Sequence, residues 1–234
     1  MGSVRLSKRL GVIAGYIEKG ASVADIGTDH GYLPVYLAQH GLARRIIASD
    51  VSERSLNPAR HSAAKYGVED RIEFIAAPGL SGIGEFDADT VVLAGMGGET
   101  IIGILSGAPW VICGGIRLIL QPQSKNVDLY LWLRGNDISV HDAALARDSG
   151  RIYVVLSAGA DGRAPAICDP ELEILSLLAK KCDPLFAEYM EWLIAKARLA
   201  LNGMEKSGTT DCRPAAKRLE RLIDLYNIAA AHEY

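Results

Sequence analysis

The chain has little of what marks the more specialised protein classes. Its 234 residues hold four cysteines, Cys113, Cys168, Cys182 and Cys212, with no C-x-x-C pair among them. That spacing excludes a disulfide framework and a cysteine zinc cluster and reads as reduced thiols. The five histidines form no H-E-x-x-H or comparable ligand spacing, so no metal is expected. Apolar runs are short: Val91–Ala94 and Ile116–Leu120, the latter interrupted by Arg117, fall far below the roughly 20 residues needed to cross a bilayer. Met1 to Leu6 lacks the apolar stretch of a secretion signal, and a cytoplasmic protein without membrane contact is expected. Excess positive charge is missing too. Twenty-five basic and 28 acidic side chains leave a net charge of -3, which excludes a protein that grips nucleic acid by bulk electrostatics. Local basic patches remain open.

What is present is a core. Apolar residues make up 49% of the chain and charged residues 23%, so the sequence is not intrinsically disordered. Its length favours one sizeable domain with an appendage. Leu6, Leu10, Ile13 and Ile17 predict a first helix over 6–19 with Ser7 as N-cap and Gly20 as its stop. Strands are expected at 23–26, 46–49, 71–76, 90–94 and 117–120, with helices at 32–40, 52–66, 99–105 and 126–134 between or after them. Strand and helix in alternation predict an α/β fold with a doubly wound, mostly parallel sheet. Two further strands, 138–141 and 152–158, have no helix between them and are expected to form an antiparallel edge pair. A linker with two prolines and two glycines, Gly159–Pro170, then leads into helical segments at 171–181 and 185–204 and a last helix entered at Pro214. The expected domains are residues 1–160 and 161–234, the second a small α-helical hairpin.

The first strand runs into Asp25-Ile-Gly-Thr-Asp-His-Gly31, a strand-to-helix turn, where an open α/β sheet binds its ligand. A dinucleotide-binding turn would read G-x-G-x-x-G and seat a pyrophosphate on the helix N-terminus. Here two aspartates, Asp25 and Asp29, occupy the turn and would repel a pyrophosphate. A cationic ligand suits them better. Asp50 ends the second strand, 23 residues after Gly27, near the interval at which an acid accepts from ribose hydroxyls. An acidic turn with a ribose-binding acid points to S-adenosylmethionine, which carries an ammonium and a sulfonium. A plain turn with a capping aspartate is the alternative, and Asp50 in register weighs against it.

Four segments carry a closer likeness: Asp25 to Pro34, Ala48-Ser-Asp50, Val91 to Gly98, and Leu120-Gln-Pro122. With Leu6-Ser-Lys-Arg-Leu10 and Gly150-Arg-Ile-Tyr153, they resemble the bacterial tRNA (adenine-22-N1)-methyltransferases over residues 6–158, and more loosely over the tail. The resemblance implies a Rossmann-like class I methyltransferase with a coiled-coil tail, methylating N1 of an adenine in the tRNA D-arm region. It implies cofactor contacts from Asp25, Gly27, Thr28, Asp29, Gly31, Asp50, Val51, Pro78, Gly79, Leu80 and Gly95. One departure stands out: such enzymes read Gly-Asp/Asn-Gly-Leu after the third strand, whereas this chain reads Ala77-Pro-Gly-Leu80. Pro78 offers no side-chain acceptor for the cofactor's adenine amino group, leaving a backbone group near Gly79 or stacking on Pro78.

N1 of adenine already has a lone pair, so no general base is needed. Catalysis then rests on in-line positioning and on an acceptor for the exocyclic N6–H. The site residues expected for this are Asp29, His30, Met96 and Gly97, with a carboxylate and a backbone carbonyl both open as the acceptor. The target must leave its stack, and Tyr32 reads equally as a stacking ring or a core residue. Phosphate contacts are expected from Arg5, Lys8 and Arg9 and from Arg213, Lys217, Arg218 and Arg221, with Arg44-Arg45 as a further basic pair. The expected partner is tRNA, and the sequence predicts no oligomeric state, neither monomer nor assembly. Competing readings are a methyltransferase of another RNA or a small molecule, and a catalytically silent RNA-binding protein of the same fold.

Overall fold

The computed structural model describes residues 2–112, 115–160, 169–207 and 211–231. They divide into two compact units on either side of the Pro165/Ala166 boundary.

The first unit is built on seven strands: β1 (Ala21–Ile26), β2 (Ala43–Asp50), β3 (Glu73–Ala76), β4 (Thr90–Met96), β5 (Arg117–Pro122), β6 (Ser139–Asp148) and β7 (Arg151–Gly159). Their order in the sheet is β3-β2-β1-β4-β5-β7-β6. Pairs from β3 to β5 are parallel, and β7 runs antiparallel to both β5 and β6. The helices are α1 (Lys8–Gly15), α2 (Tyr32–His40), α3 (Glu53–Tyr66), α4 (Gly98–Ser106) and α5 (Asn126–Gly135). The right-handed crossover rule puts α2 and α3 on one face of the sheet and α4 on the other, and α2 packs with α3 as α4 does with α5. This is the doubly wound α/β fold expected from the strand–helix alternation.

Coverage on both faces explains the central strands. All six residues of β1 are buried, as suits an apolar run in a parallel sheet. Ile13 of α1 and Leu33 and Leu37 of α2 share a core with Val23, Ile46, Ile119 and Val155 of the sheet. Burying each such side chain contributes roughly 1.5–3 kcal/mol. The strand order reverses between β1 and β4, since β1 leads leftward to β2 while β4 leads rightward to β5. A crevice opens at the carboxyl ends of strands that part in this way.

Two expectations need correction. The first helix spans only Lys8–Gly15, capped by the Ser7 hydroxyl, which accepts from the Leu10 N–H at 3.3 Å. Ile17 packs on the core from the turn that follows, so its helical spacing was coincidental. The strand expected at 138–141 runs on to Asp148. Its Ala143-Ala-Leu-Ala146 stretch has helix-forming composition, but nearly every residue of β6 finds a partner on β7, and that pairing decides the conformation.

The second unit holds α6 (Pro170–Lys180), α7 (Phe186–Lys206) and α8 (Arg213–Ala231). Pro184 falls between α6 and α7, and Pro214 sits in the first turn of α8, where its missing N–H costs nothing. The Tyr226 hydroxyl late in α8 donates to Glu191 Oε1 early in α7 at 3.0 Å, so these two helices form the antiparallel hairpin expected from sequence. Leu175, Leu178, Leu193, Ile194 and Leu222 supply its buried interior.

Candidate active site

The site begins where β1 ends. Asp25 is the last acid before the turn and is 7% exposed. Burial pushes its carboxyl up to about 6, and the negative charge of Asp50 adds to that rise. The Thr28 hydroxyl, donating to Asp25 Oδ2 at 2.7 Å, and the positive charge of Arg9 oppose it. A buried acid held near its ionisation point lacks a full cationic partner, and a ligand ammonium supplies one. Thr28 therefore serves Asp25, and its buried side chain is not itself a surface for ligand.

Asp50 clamps two loops at once. Its Oδ2 accepts from the Asp29 N–H at 3.3 Å, and its Oδ1 accepts from the Val51 N–H at 2.8 Å. Each carboxylate oxygen keeps a further lone pair for a ligand hydroxyl. Val51 beside it is 66% exposed, an apolar side chain left open at the same edge. Pro78 is exposed as well, and the Gly79 N–H donates to no other described residue.

The third wall comes from β4. Gly27 has φ 71°, the left-handed region that lets the chain turn back, and a Cβ there would stand 2.9 Å from the methyl carbon of Met96. The turns after β1 and β4 are thus packed against each other through Met96. Gly98 permits the next close approach: its N–H donates to the Ser124 carbonyl at 2.8 Å, and a Cβ would meet the Lys125 carbonyl oxygen at 2.5 Å. That contact draws the Gly95–Gly97 backbone against the loop after β5. Asp29 and His30 lie at the mouth, with Asp29 Oδ1 3.9 Å from His30 Nε2 and both side chains more than half exposed. His30 stacks on Tyr32, centroids 5.5 Å apart, and Tyr32 is 41% exposed, so it belongs to the rim and not to the core.

Several expected residues stand elsewhere. Leu80 is buried, and its side chain belongs to the core. Gly31 serves helix packing, since a Cβ there would lie 2.8 Å from the Ala59 Cβ of α3. Arg9 does not join Arg5 and Lys8 on the surface. Its Nη1 donates to Gln121 Oε1 at 2.7 Å and its Nε lies 3.6 Å from Asp148 Oδ2, beside the Gly95 backbone. In the second unit, Arg218 makes a two-pronged pair with Glu171, both bonds 2.7 Å, and Arg221 pairs with Asp169 at 3.0 Å. These two arginines hold α8 to the start of α6. Arg213 pairs with Asp211 but stays open to solvent, and Lys217 is exposed. Arg44 and Arg45 are neutralised by Asp89, Glu73 and Asp87. Gln121, quoted above only as part of Leu120-Gln-Pro122, and Asp148 carried no site role in the sequence reading; the signal for Gln121 was a lone amide ending the apolar run Leu118-Ile-Leu120.

Residues 6–156 match a family model described as a methyltransferase domain. The chain is 36% identical over 166 residues to the tRNA (adenine-22-N1)-methyltransferase of Bacillus subtilis, covering 71% of this chain and 70% of that protein. The crystal structure of the B. subtilis adenine-22 N1 tRNA methyltransferase superposes with a TM-score of 0.74 at 29% identity, covering 97% of this chain and 99% of that one. A Streptococcus pneumoniae protein crystallised with S-adenosyl-L-methionine superposes with a TM-score of 0.82 at 26% identity, covering 95% and 100% of the two chains. With its reversed strand order, buried turn acid and clamped second acid, the chain belongs to the class I tRNA (adenine-22-N1)-methyltransferase family.

Proposed function

We propose that this protein transfers a methyl group from S-adenosylmethionine to N1 of adenine-22 in the D-arm region of tRNA. The observation that carries the reading is the meeting of Asp25, Asp50 and the Gly95–Gly98 loop at the strand-order reversal, in a chain 36% identical to an enzyme of that name.

The residues fit the cofactor on chemical grounds. Asp25 is a buried acid without a full counterion, suited to an ammonium. Asp50 retains acceptor capacity toward ribose hydroxyls. Val51 and Pro78 offer exposed apolar surface for a purine, and the Gly79 N–H is left to donate to a ring nitrogen of its edge. Bound there, S-adenosylmethionine supplies an electrophilic methyl group on a positively charged sulfur.

The chain's own work is placement. Adenine N1 attacks with its lone pair, so no side chain needs to take a proton before transfer. Asp29 and the carbonyls of the Gly95–Gly97 loop present acceptors for the N6–H groups, which become stronger donors as the ring gains positive charge. Tyr32, stacked on His30 at the rim, provides an aromatic face for an unstacked base.

Exposed Arg5 and Lys8 near the start of the first unit contact tRNA phosphates, as do Arg213 and Lys217 in the second. The division of labour is a cofactor-binding unit and a tRNA-contacting helical appendage. A tRNA substrate supports a cytoplasmic reading; no helix among the described residues is long and apolar enough to cross a membrane. The test is methylation of paired transcripts that differ only at position 22: adenine there is methylated and guanine is not.

A further inference from the structure

Arg9 is a charged side chain that the mechanism above does not use. It arrives on α1, from outside the sheet, and its guanidinium fork engages two different strands. Nη1 donates to Gln121 Oε1 at 2.7 Å on β5, and Nε lies 3.6 Å from Asp148 Oδ2 at the end of β6. Gln121 is fully buried, and its own amide donates to the Pro122 carbonyl at 2.9 Å, so Arg9 satisfies its remaining acceptor. Pairing of β4 with β5 sets Ala94 opposite Gln121 and Met96 opposite Pro122, with a register shift at Gly95 between them. A Cβ on Gly95 would stand 3.6 Å from Arg9 Nη1. One guanidinium therefore fixes Gln121 and lies over the irregular backbone of the proposed base-holding loop.

We propose that Arg9 is a positioning residue of the methyl-transfer site: it locks Gln121 and the Gly95–Gly97 backbone in place. The assignment rests on the reading of the site as a methyl-transfer centre. Lysine is no substitute, because a point charge cannot hold an amide on one strand and a carboxylate on the next in a single plane. The groups that act on Asp25 are Thr28 from its own turn, Asp50 from β2 and Arg9 from α1. Arg9 is the one cation among these three. Losing it moves Asp25 further toward its protonated form.

The experiment uses Arg9→Gln, Arg9→Lys and Gln121→Leu in the full chain. The dissociation constant for S-adenosylmethionine is measured by calorimetry from pH 5.5 to 8.5, without tRNA. The single-turnover methylation rate at saturating tRNA and cofactor, and KM for tRNA, are measured at pH 8.5. Arg9→Gln moves the pH at which cofactor affinity falls upward, whereas Arg9→Lys and Gln121→Leu keep the wild-type profile. All three variants lose about tenfold or more in single-turnover rate, as a displaced reacting geometry does, while KM for tRNA stays within about twofold. A wild-type rate in Arg9→Lys or Gln121→Leu overturns the assignment. A loss confined to KM for tRNA also overturns it and makes Arg9 a phosphate contact. If the wild-type protein methylates no tRNA, the methyl-transfer reading fails by itself, and the pH profile still decides whether Arg9 controls Asp25.

Discussion

The methyl carbon of Met96 lies 2.9 Å from where a side chain at Gly27 would begin, so the turns after β1 and β4 are fitted to each other through one flexible side chain. Gly27→Ala introduces two effects of different size. The left-handed φ of 71° costs a non-glycine residue about 1–2 kcal/mol of stability, and the displaced Met96 is pushed toward the cofactor. The expected result is a modest fall in Tm with a larger fall in cofactor affinity. Adding Met96→Ala recovers part of the affinity and none of the Tm. Recovery of neither quantity would show that Met96 does not transmit the effect.

Asp50 is expected to matter twice, as a ligand to ribose and as the clamp on the Asp29 and Val51 N–H groups. Asp50→Ala removes charged hydrogen bonds worth roughly 1.5–3 kcal/mol each, so the cofactor dissociation constant rises about tenfold or more. Asp50→Asn keeps one acceptor oxygen and falls between. Calorimetric titration checks both, and an unchanged constant in Asp50→Ala removes Asp50 from the site.

Asp25 links cofactor binding to pH. Its carboxyl is raised from 3.8 to about 6 in the folded protein. The folded state therefore holds the proton more tightly, and this contribution to stability is fully present below about pH 4 and lost as pH rises through 6. The whole effect is about 3 kcal/mol, at about 1.4 kcal/mol per pH unit. Asp25→Asn consequently raises the Tm of the cofactor-free protein at pH 8 and flattens its pH dependence between 4 and 7. The same substitution weakens S-adenosylmethionine binding at pH 8, because the ammonium loses its ionised partner. Thermal scans and titrations of one variant thus move in opposite directions. A variant that loses Tm at pH 8 contradicts the buried-acid account.

Much of this was legible in the sequence. The parallel sheet followed from short apolar runs ending at Ile26, Ser49 and Ala94, and the acids at Asp25 and Asp50 declared themselves by standing at strand ends. What stayed hidden depends on distance along the chain. Nothing local tells that Arg9 reaches Gln121, which lies 112 residues away, or that Arg218 reaches Glu171 across 47. A cluster of cations in sequence looks like a phosphate-binding face until the acids that neutralise it are folded beside it. The length of β6 was hidden for a related reason: its alanines took strand conformation from pairing with β7, which no local propensity encodes.

The two kinds of cation in α8 should separate cleanly. Arg218 meets Glu171 in a partly buried, two-pronged pair, and Arg218→Ala leaves that carboxylate without its partner. The expected loss is roughly 1–3 kcal/mol in the stability of the helical unit, read by thermal denaturation of the full chain. Lys217→Ala leaves Tm unchanged and weakens tRNA binding, with a shallower dependence of affinity on salt. The reverse pattern would exchange the roles assigned to them.

The most direct measurement is to incubate the full-length protein with an unmodified tRNA transcript and S-adenosylmethionine and to map N1-methyladenine by reverse-transcription stops. The account predicts a single cofactor-dependent stop at adenine-22, lost in Asp50→Ala. A stop at another adenine, or no stop from protein that binds the cofactor, would contradict it.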